Sequence, residues 1–385
     1  MSATGTVPQR PAIANFDFDR APFVVIWETT QACDLACLHC RASAIPRRDS
    51  RELSTIEAIR LLDAVRGFDA EHPPLFVMTG GDPLRRDDLP TIVEYGRRIG
   101  LRVALTPSGT PLTTRAKLAE LRDAGLARLA VSLDGSNRTI HDRFRGVAGS
   151  YEWTLRILRD ARELGLSTQI NSTISRHNID DLEPLIACVE ELGIALWSVF
   201  FIVPTGRGTV EQLVSPDEFE WVMNRLYDLS KTAAFDIKTT AAPHYRRVVL
   251  QRQAAERRAA LAEERPVPLA RGGVGFTLRD GIGRARGVTD GVGFVFVSHR
   301  GEIFPSGFLP LSAGNVRTHD LATVYRESPL FRELRDVTRL KGKCGVCEFR
   351  KVCGGSRARA YATTGDYMQA DPWCAYVPRA LAEQL

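Results

Sequence analysis

Seven of the eight cysteines fall into two groups whose spacing suits metal chemistry. Cys33, Cys37 and Cys40 form a C-x3-C-x2-C run. Thiolates select zinc, Cu(I) or iron–sulfur clusters. A structural zinc or a simple electron-transfer cluster takes four protein ligands, and no fourth cysteine is local. His39 is the neighbouring alternative, but adjacent residues rarely both reach one metal. Three thiolates therefore describe an iron left open for another molecule, which is the logic of a catalytic metal site. Cys344, Cys347, Cys353 and Cys374 are instead a closed set of four. Zinc or a [4Fe-4S] cluster would accept it, and spacing alone does not choose between them. Cys188 stands alone in an apolar helical stretch and reads as packing.

The elements that must position these residues alternate strand and helix. A short apolar strand at 23–27 precedes the first cysteine loop. Ser54-Thr55-Ile56-Glu57 is a capping box that opens a helix. Strand-like runs follow at 75–79, 101–106, 127–133, 166–173 and 195–203. Helical runs fall between them at 114–124, 153–164 and 181–192, and Ser215-Pro216-Asp217-Glu218 opens another. Six such units predict a parallel α/β sheet with right-handed crossovers, too short for a closed eight-unit barrel but suited to a partial (β/α)6 one. Sites in such sheets lie at the C-terminal strand ends. The unusual residues sit there: the cysteine loop, Gly80-Gly81-Asp82-Pro83, Thr106-Pro107-Ser108-Gly109, Ser132-Leu133-Asp134-Gly135, Asn171-Ser172-Thr173 and Pro204-Thr205-Gly206-Arg207-Gly208.

Beyond residue 235 the character changes. Residues 251–265 are charged, Ala-rich and helical in pattern, and 271–293 are rich in Gly and Arg. Gly281 and Gly283 lack the third glycine of a dinucleotide fingerprint. Residues 292–298 with 301–304 predict a small hairpin. The chain divides into an extension at 1–22, a core at 23–235, a bridge at 236–290 and a C-terminal cluster domain at 291–385.

Composition sets the outer limits. With 385 residues, 44% hydrophobic and 25% charged, the chain is ordinary globular protein. No run approaches a membrane span, and the first residues have no apolar signal core. The net charge of +5 from 51 basic and 46 acidic residues gives no case for nucleic acid. Clustered cysteines without these signals predict a cytoplasmic metal or redox protein.

The cysteine loop after the first strand of a six-unit partial barrel resembles the radical S-adenosylmethionine (SAM) superfamily. The resemblance spans about residues 20–235 and includes Gly80-Gly81-Asp82-Pro83, similar to that family's Gly-Gly-Glu-Pro, with Asp for Glu. It implies that Cys33, Cys37 and Cys40 hold a [4Fe-4S] cluster whose fourth iron binds SAM. It also implies reductive cleavage to a 5′-deoxyadenosyl radical, with an electron from flavodoxin or ferredoxin. Gly80, Gly81 and Asp82 would meet the SAM amino group. Ser132, Asp134, Asn171 and Ser172 would meet its carboxylate and ribose, and Arg207 would hold SAM or substrate anions. Plainer readings compete: a tight turn at Gly80-Gly81, a capping role for Asn171, and a simple turn around Arg207.

The second cysteine group resembles the SPASM and twitch auxiliary-cluster domains of the same superfamily. A full SPASM domain has seven cysteines and two clusters. Here Ser306 and Arg357 stand at two of the missing positions, which implies one auxiliary [4Fe-4S] cluster and a more open space beside the SAM site. The stretches 237–247 and 353–361, with 305–308 and 314–317, resemble the radical SAM enzymes of haem biosynthesis. Those act on the propionates and acetates of sirohaem- or coprohaem-derived tetrapyrroles. On that reading Arg246, Arg247, Arg357 and Arg359 pair carboxylates, and His244 ligates a haem iron or moves a proton. A solvated basic face and a satisfied structural histidine are the plain alternatives. The runner-up is a peptide maturase of the mycofactocin or pyrroloquinoline quinone type. A third reading is a non-enzymatic electron carrier or sensor, which would have no use for an open iron.

Overall fold

The computed structural model describes residues 16–263 and 287–382. The Gly/Arg-rich run with Gly281 and Gly283 falls outside them, apart from its last residues. The strands are β1 (Val24–Glu28), β2 (Leu75–Thr79), β3 (Val103–Leu105), β4 (Arg128–Ser132), β5 (Thr168–Ile174), β6 (Leu196–Phe201), β7 (Asp236–Thr240), β8 (Phe294–Val297), β9 (Glu302–Phe304) and β10 (Gly314–Asn315). They form one sheet in the order β10-β9-β8-β1-β2-β3-β4-β5-β6-β7. Every neighbour pair from β8 through β1 to β7 is parallel. β4 and β6 are buried almost throughout, as strands covered on both faces must be.

The crossover helices are α1 (Thr55–Arg66), α2 (Leu89–Arg98), α3 (Arg115–Ala124), α4 (Arg138–Arg145), α5 (Ser150–Glu163), α6 (Leu182–Glu191) and α7 (Pro216–Leu229). Both capping boxes form, Ser54 with Glu57 and Ser215 with Glu218. Gly125 and Gly146 end α3 and α4 in the left-handed conformation, where glycine carries no Cβ penalty. α8 (His244–Ala262) follows β7. The C-terminal segment adds α9 (Leu321–Glu327), α10 (Pro329–Arg335), α11 (Gly342–Val346) and α12 (Arg357–Thr364).

Three features depart from the sequence expectation. The parallel sheet continues past residue 235 into β7, whose polar sequence DIKTT lies at an edge and lacks an apolar run. α4 appears as a short helix of eight residues with only Ile140 and Phe144 apolar, too few to stand out as a separate run. The expected hairpin forms as β8 and β9, but β8 also pairs with β1 in parallel, Val24 opposite Phe294. The C-terminal segment is thus built onto the barrel sheet beside the strand that carries the first cysteine loop.

Trp27 of β1 is fully buried in the main core, and the Arg86 guanidinium stacks over its ring at 5.1 Å. Trp27→Ala should destabilise the metal-free chain by about 3–5 kcal/mol, the sum of lost transfer energy and an unfilled cavity. Urea unfolding measures this directly.

Candidate active site

The loop between β1 and α1 has almost no regular structure, so its backbone groups must find partners elsewhere. The ends of three neighbouring elements supply them. From β2, Gly81 N donates to Thr30 O at 2.7 Å and Asp82 N to Ala32 O at 2.6 Å. A side chain on Gly80 would overlap Thr30 O, and one on Gly81 would come within 2.5 Å of Gln31 O. From α4, Arg145 O accepts from Ala36 N, and Phe144 O from Leu38 N. A Cβ on Gly146 would lie 2.5 Å from Ala36 O. From the loop after β6, Arg207 N donates to Cys40 O at 2.9 Å, and its Nε to Cys37 O at 2.9 Å. A side chain on Gly206 would collide with the carbonyls of Cys40 and Arg41.

Cys33, Cys37 and Cys40 are held in this way. Cys33 Sγ donates to Ser108 Oγ at 3.3 Å, and the Ser108 hydroxyl donates in turn to Gly81 O. Burial pushes the Cys33 and Cys37 thiols up. Arg145, the nearest buried cation, pulls both back. Thiolates here need a positive centre, as iron would provide. His39 is half-buried, stacks on Phe144 at 4.2 Å, and is held neutral chiefly by desolvation of its ring.

The expected SAM contacts separate into two kinds. Asp134 is buried; it accepts from Thr173 N at 2.7 Å and Arg145 Nη1 at 3.2 Å. Ser172 is buried and accepts from Trp197 Nε1 at 2.9 Å. Asp82 accepts from Thr110 Oγ1 at 2.6 Å and Leu84 N at 3.2 Å, and burial raises its pKa. These three side chains are engaged inside the fold. Ser132 and Asn171 pair across β4 and β5 and remain half-buried. Arg207 has become a clasp on the cysteine loop, with only its Nη2 lacking a partner among the described residues.

One group was not found from sequence. Glu28, at the end of β1, is 3% exposed. It accepts from Arg41 Nη2 at 2.7 Å and lies 2.9 Å from His299 Nδ1. Burial alone would raise its pKa, but Arg41 and His299 outweigh that and hold it below the ordinary range. Arg41 also donates to Gly307 O and stacks on Phe296 at 4.6 Å. No local motif marks this group, because His299 lies 271 residues from Glu28.

Cys344, Cys347, Cys353 and Cys374 line one small cavity together with His244, Arg247, Lys343 and Arg350. Burial pushes the Cys353 thiol up to about 12 and raises Cys347 and Cys374. The cationic lining suits an anionic thiolate–metal cluster. His244 is fully buried here, with Nε2 3.5 Å from Asp371 Oδ2. Its pKa falls to about 3, chiefly through burial, so the ring is neutral.

The arginines expected to hold substrate carboxylates are engaged internally. Arg246 donates to Val352 O and Val288 O. Arg247 forks onto Glu220, and Arg359 onto Asp371. Arg357 donates to Tyr367 O and Gln369 O. Ser306 is buried, and its Oγ accepts from Phe308 N. The reason is energetic, since a buried cation or hydroxyl must be partnered. His244 and Arg246 thus pack at the second cysteine group, and Ser306 and Arg357 are buried.

A family profile described as the radical SAM superfamily matches residues 27–189. An AdoMet-dependent heme synthase of Methanosarcina barkeri is 39% identical over 93% of this chain and 97% of its own length. A PqqA peptide cyclase of Rhodopseudomonas palustris is 29% identical, over 93% and 88% of the two chains. Among solved structures, Streptococcus suis SuiB bound to S-adenosylmethionine aligns with a TM-score of 0.67 at 15% identity, covering 93% of this chain and 78% of that one.

Two experiments follow from the geometry. Gly81→Ala should displace the cysteine loop and lower iron bound at Cys33, Cys37 and Cys40. It should also destabilise the chain by more than about 1 kcal/mol. Gly67→Ala, whose Cβ meets only ordinary contacts at 3.5 Å, is the neutral control for iron content and melting temperature. The second concerns pH. The lowered pKa of Glu28 contributes stability above the unfolded carboxylate pKa of about 4.3, and that stability is lost as pH falls through the lower folded value. Glu28→Gln should therefore lose less stability than the parent as pH falls from about 5 to about 3 in urea unfolding.

Proposed function

The chain belongs to the radical SAM superfamily, and from that premise we propose that its substrate is a haem-type tetrapyrrole, whose carboxylated side chains it decarboxylates or oxidises. The observation that carries this reading is the near full-length similarity to the AdoMet-dependent heme synthase, at 39% identity. Peptide cyclization is the second reading, supported by the 29% identity to the PqqA peptide cyclase.

In this reading Cys33, Cys37 and Cys40 hold a [4Fe-4S] cluster and leave one iron for SAM. When bound and reduced, that cluster supplies the electron that yields a 5′-deoxyadenosyl radical, which takes hydrogen from substrate. The chain's own part is placement. Gly81, Gly146 and Arg207 fix the loop, and Gly80 and Gly81 keep the end of β2 close to it. Ser132 and Asn171 are the polar groups at strand ends best placed to meet SAM, being less committed than Asp134 or Ser172. Cys344, Cys347, Cys353 and Cys374 hold one auxiliary [4Fe-4S] cluster, a one-electron store suited to an oxidative reaction. A flavodoxin or ferredoxin in the cytoplasm is the reductant. No helix among the described residues is long and apolar enough to cross a membrane.

Anaerobic incubation with SAM, dithionite and iron coproporphyrin tests the proposal. The expected result is 5′-deoxyadenosine above the uncoupled background and a product lighter by carbon dioxide and two hydrogens, one of them carried off in the 5′-deoxyadenosine. Cys37→Ala should abolish both. Turnover with a precursor peptide alone would select the second reading. Tight zinc at both cysteine groups, with no SAM cleavage, would overturn both.

A further inference from the structure

Three arginines are fully buried beside the four-cysteine cavity, and two have carboxylates. Arg359 has Asp371 at 2.7 Å, and Arg247 has Glu220. Arg357 has none within ion-pair distance among the described residues, although it is only 4% exposed. Its Nη1 donates to Tyr367 O and Gln369 O, both at 2.8 Å, and its Nε to Gly355 O at 3.4 Å. The remaining arm, Nη2, points at Cys344 Sγ, 3.8 Å away.

Carbonyls satisfy the N–H groups but do not neutralise the charge. Burying a cation without a counter-charge costs several kcal/mol. The anion in reach of Nη2 is the sulfur of Cys344 once it is a thiolate. The local backbone is shaped for this approach. Gly355 has a φ of +69°, and a Cβ there would lie 2.6 Å from Arg357 Nη2 and 3.2 Å from Cys344 Sγ. Only glycine leaves the guanidinium its path to the sulfur.

We infer that Arg357 is a positioning residue that raises the reduction potential of the cluster held by Cys344, Cys347, Cys353 and Cys374, through its contact with the Cys344 sulfur. Adding one electron makes a thiolate-bound cluster more negative. A hydrogen-bonding cation at a ligand sulfur stabilises that reduced form more than the oxidised one. The inference rests on the reading that these cysteines hold an iron–sulfur cluster.

The test uses the full chain with Cys33, Cys37 and Cys40 all changed to Ala, so that the second site alone contributes. Iron and sulfide content is measured first, then the midpoint potential by EPR-monitored titration. In Arg357→Met the ratio of reduced to oxidised cluster at fixed potential should fall about tenfold, a negative shift of about 59 mV for one electron. Arg357→Lys should fall between parent and Met. Gly355→Ala, which keeps the arginine but pushes it off the sulfur, should shift the same way and serves if Arg357→Met does not fold. Full iron with an unmoved potential in the folded variants overturns the inference alone. A parent that binds zinc, or no iron, overturns the reading beneath it as well.

Discussion

The cysteine loop after β1 must hold three sulfurs in fixed places while having almost no secondary structure of its own, and the surrounding architecture answers to that constraint. The loop is fixed by its backbone. Amides at the end of β2 donate to Thr30 and Ala32, and the Arg207 amide and guanidinium donate to Cys40 and Cys37. Carbonyls at the end of α4 accept from Ala36 and Leu38. Backbone contacts of this kind need close approach, so Gly81, Gly146 and Gly206 stand where any Cβ would collide. Strand order brings the ends of β2 and β6, and the end of α4, to one rim, which is why a parallel sheet suits this chemistry.

The C-terminal segment is tied to the same loop. β8 extends the parallel sheet beside β1. Above that pairing, Glu28 gathers Arg41 from the cysteine loop and His299 from the end of β8. Arg41 then reaches the Gly307 carbonyl beyond β9. A shift of the hairpin would break the buried Glu28–His299 contact, and an unpartnered buried polar group costs more than a lost surface contact. The two cysteine groups therefore sit on one connected body. Arg359 reinforces this by donating to Ile202 O and Ala241 O of the barrel while bound to Asp371.

Much of this was legible in the residues. The unequal cysteine grouping separated a set of three from a set of four, and Cys344, Cys347, Cys353 and Cys374 line one cavity. Six strands fell where apolar runs predicted them. β7 was hidden because an edge strand need not be apolar, and α4 because it is short and carries only two apolar residues. The internal partners of the arginines were hidden for a different reason. Charge and spacing show that Arg246, Arg247 and Arg359 can pair carboxylates or carbonyls, but not whether the partner comes from substrate or from the chain. Glu220 lies 27 residues from Arg247, and Val352 lies 106 from Arg246. Only the fold brings such partners together. Glu28 and His299, 271 residues apart, were invisible for the same reason.

Those internal partners also constrain how a carboxylated substrate can be held. A guanidinium already forked onto a buried carboxylate has no bidentate face left for a second one. Taking Arg359 from Asp371 would leave an uncompensated charge beside His244, at a cost of several kcal/mol. Nearer the strand ends, Arg41 keeps 20% of its side chain exposed while bound to Glu28, whereas the unpartnered Nη2 of Arg207 is itself buried. On the proposed reading, a substrate carboxylate would therefore find Arg41 more accessible than Arg359 or Arg207, and Arg41 belongs to the cysteine loop itself.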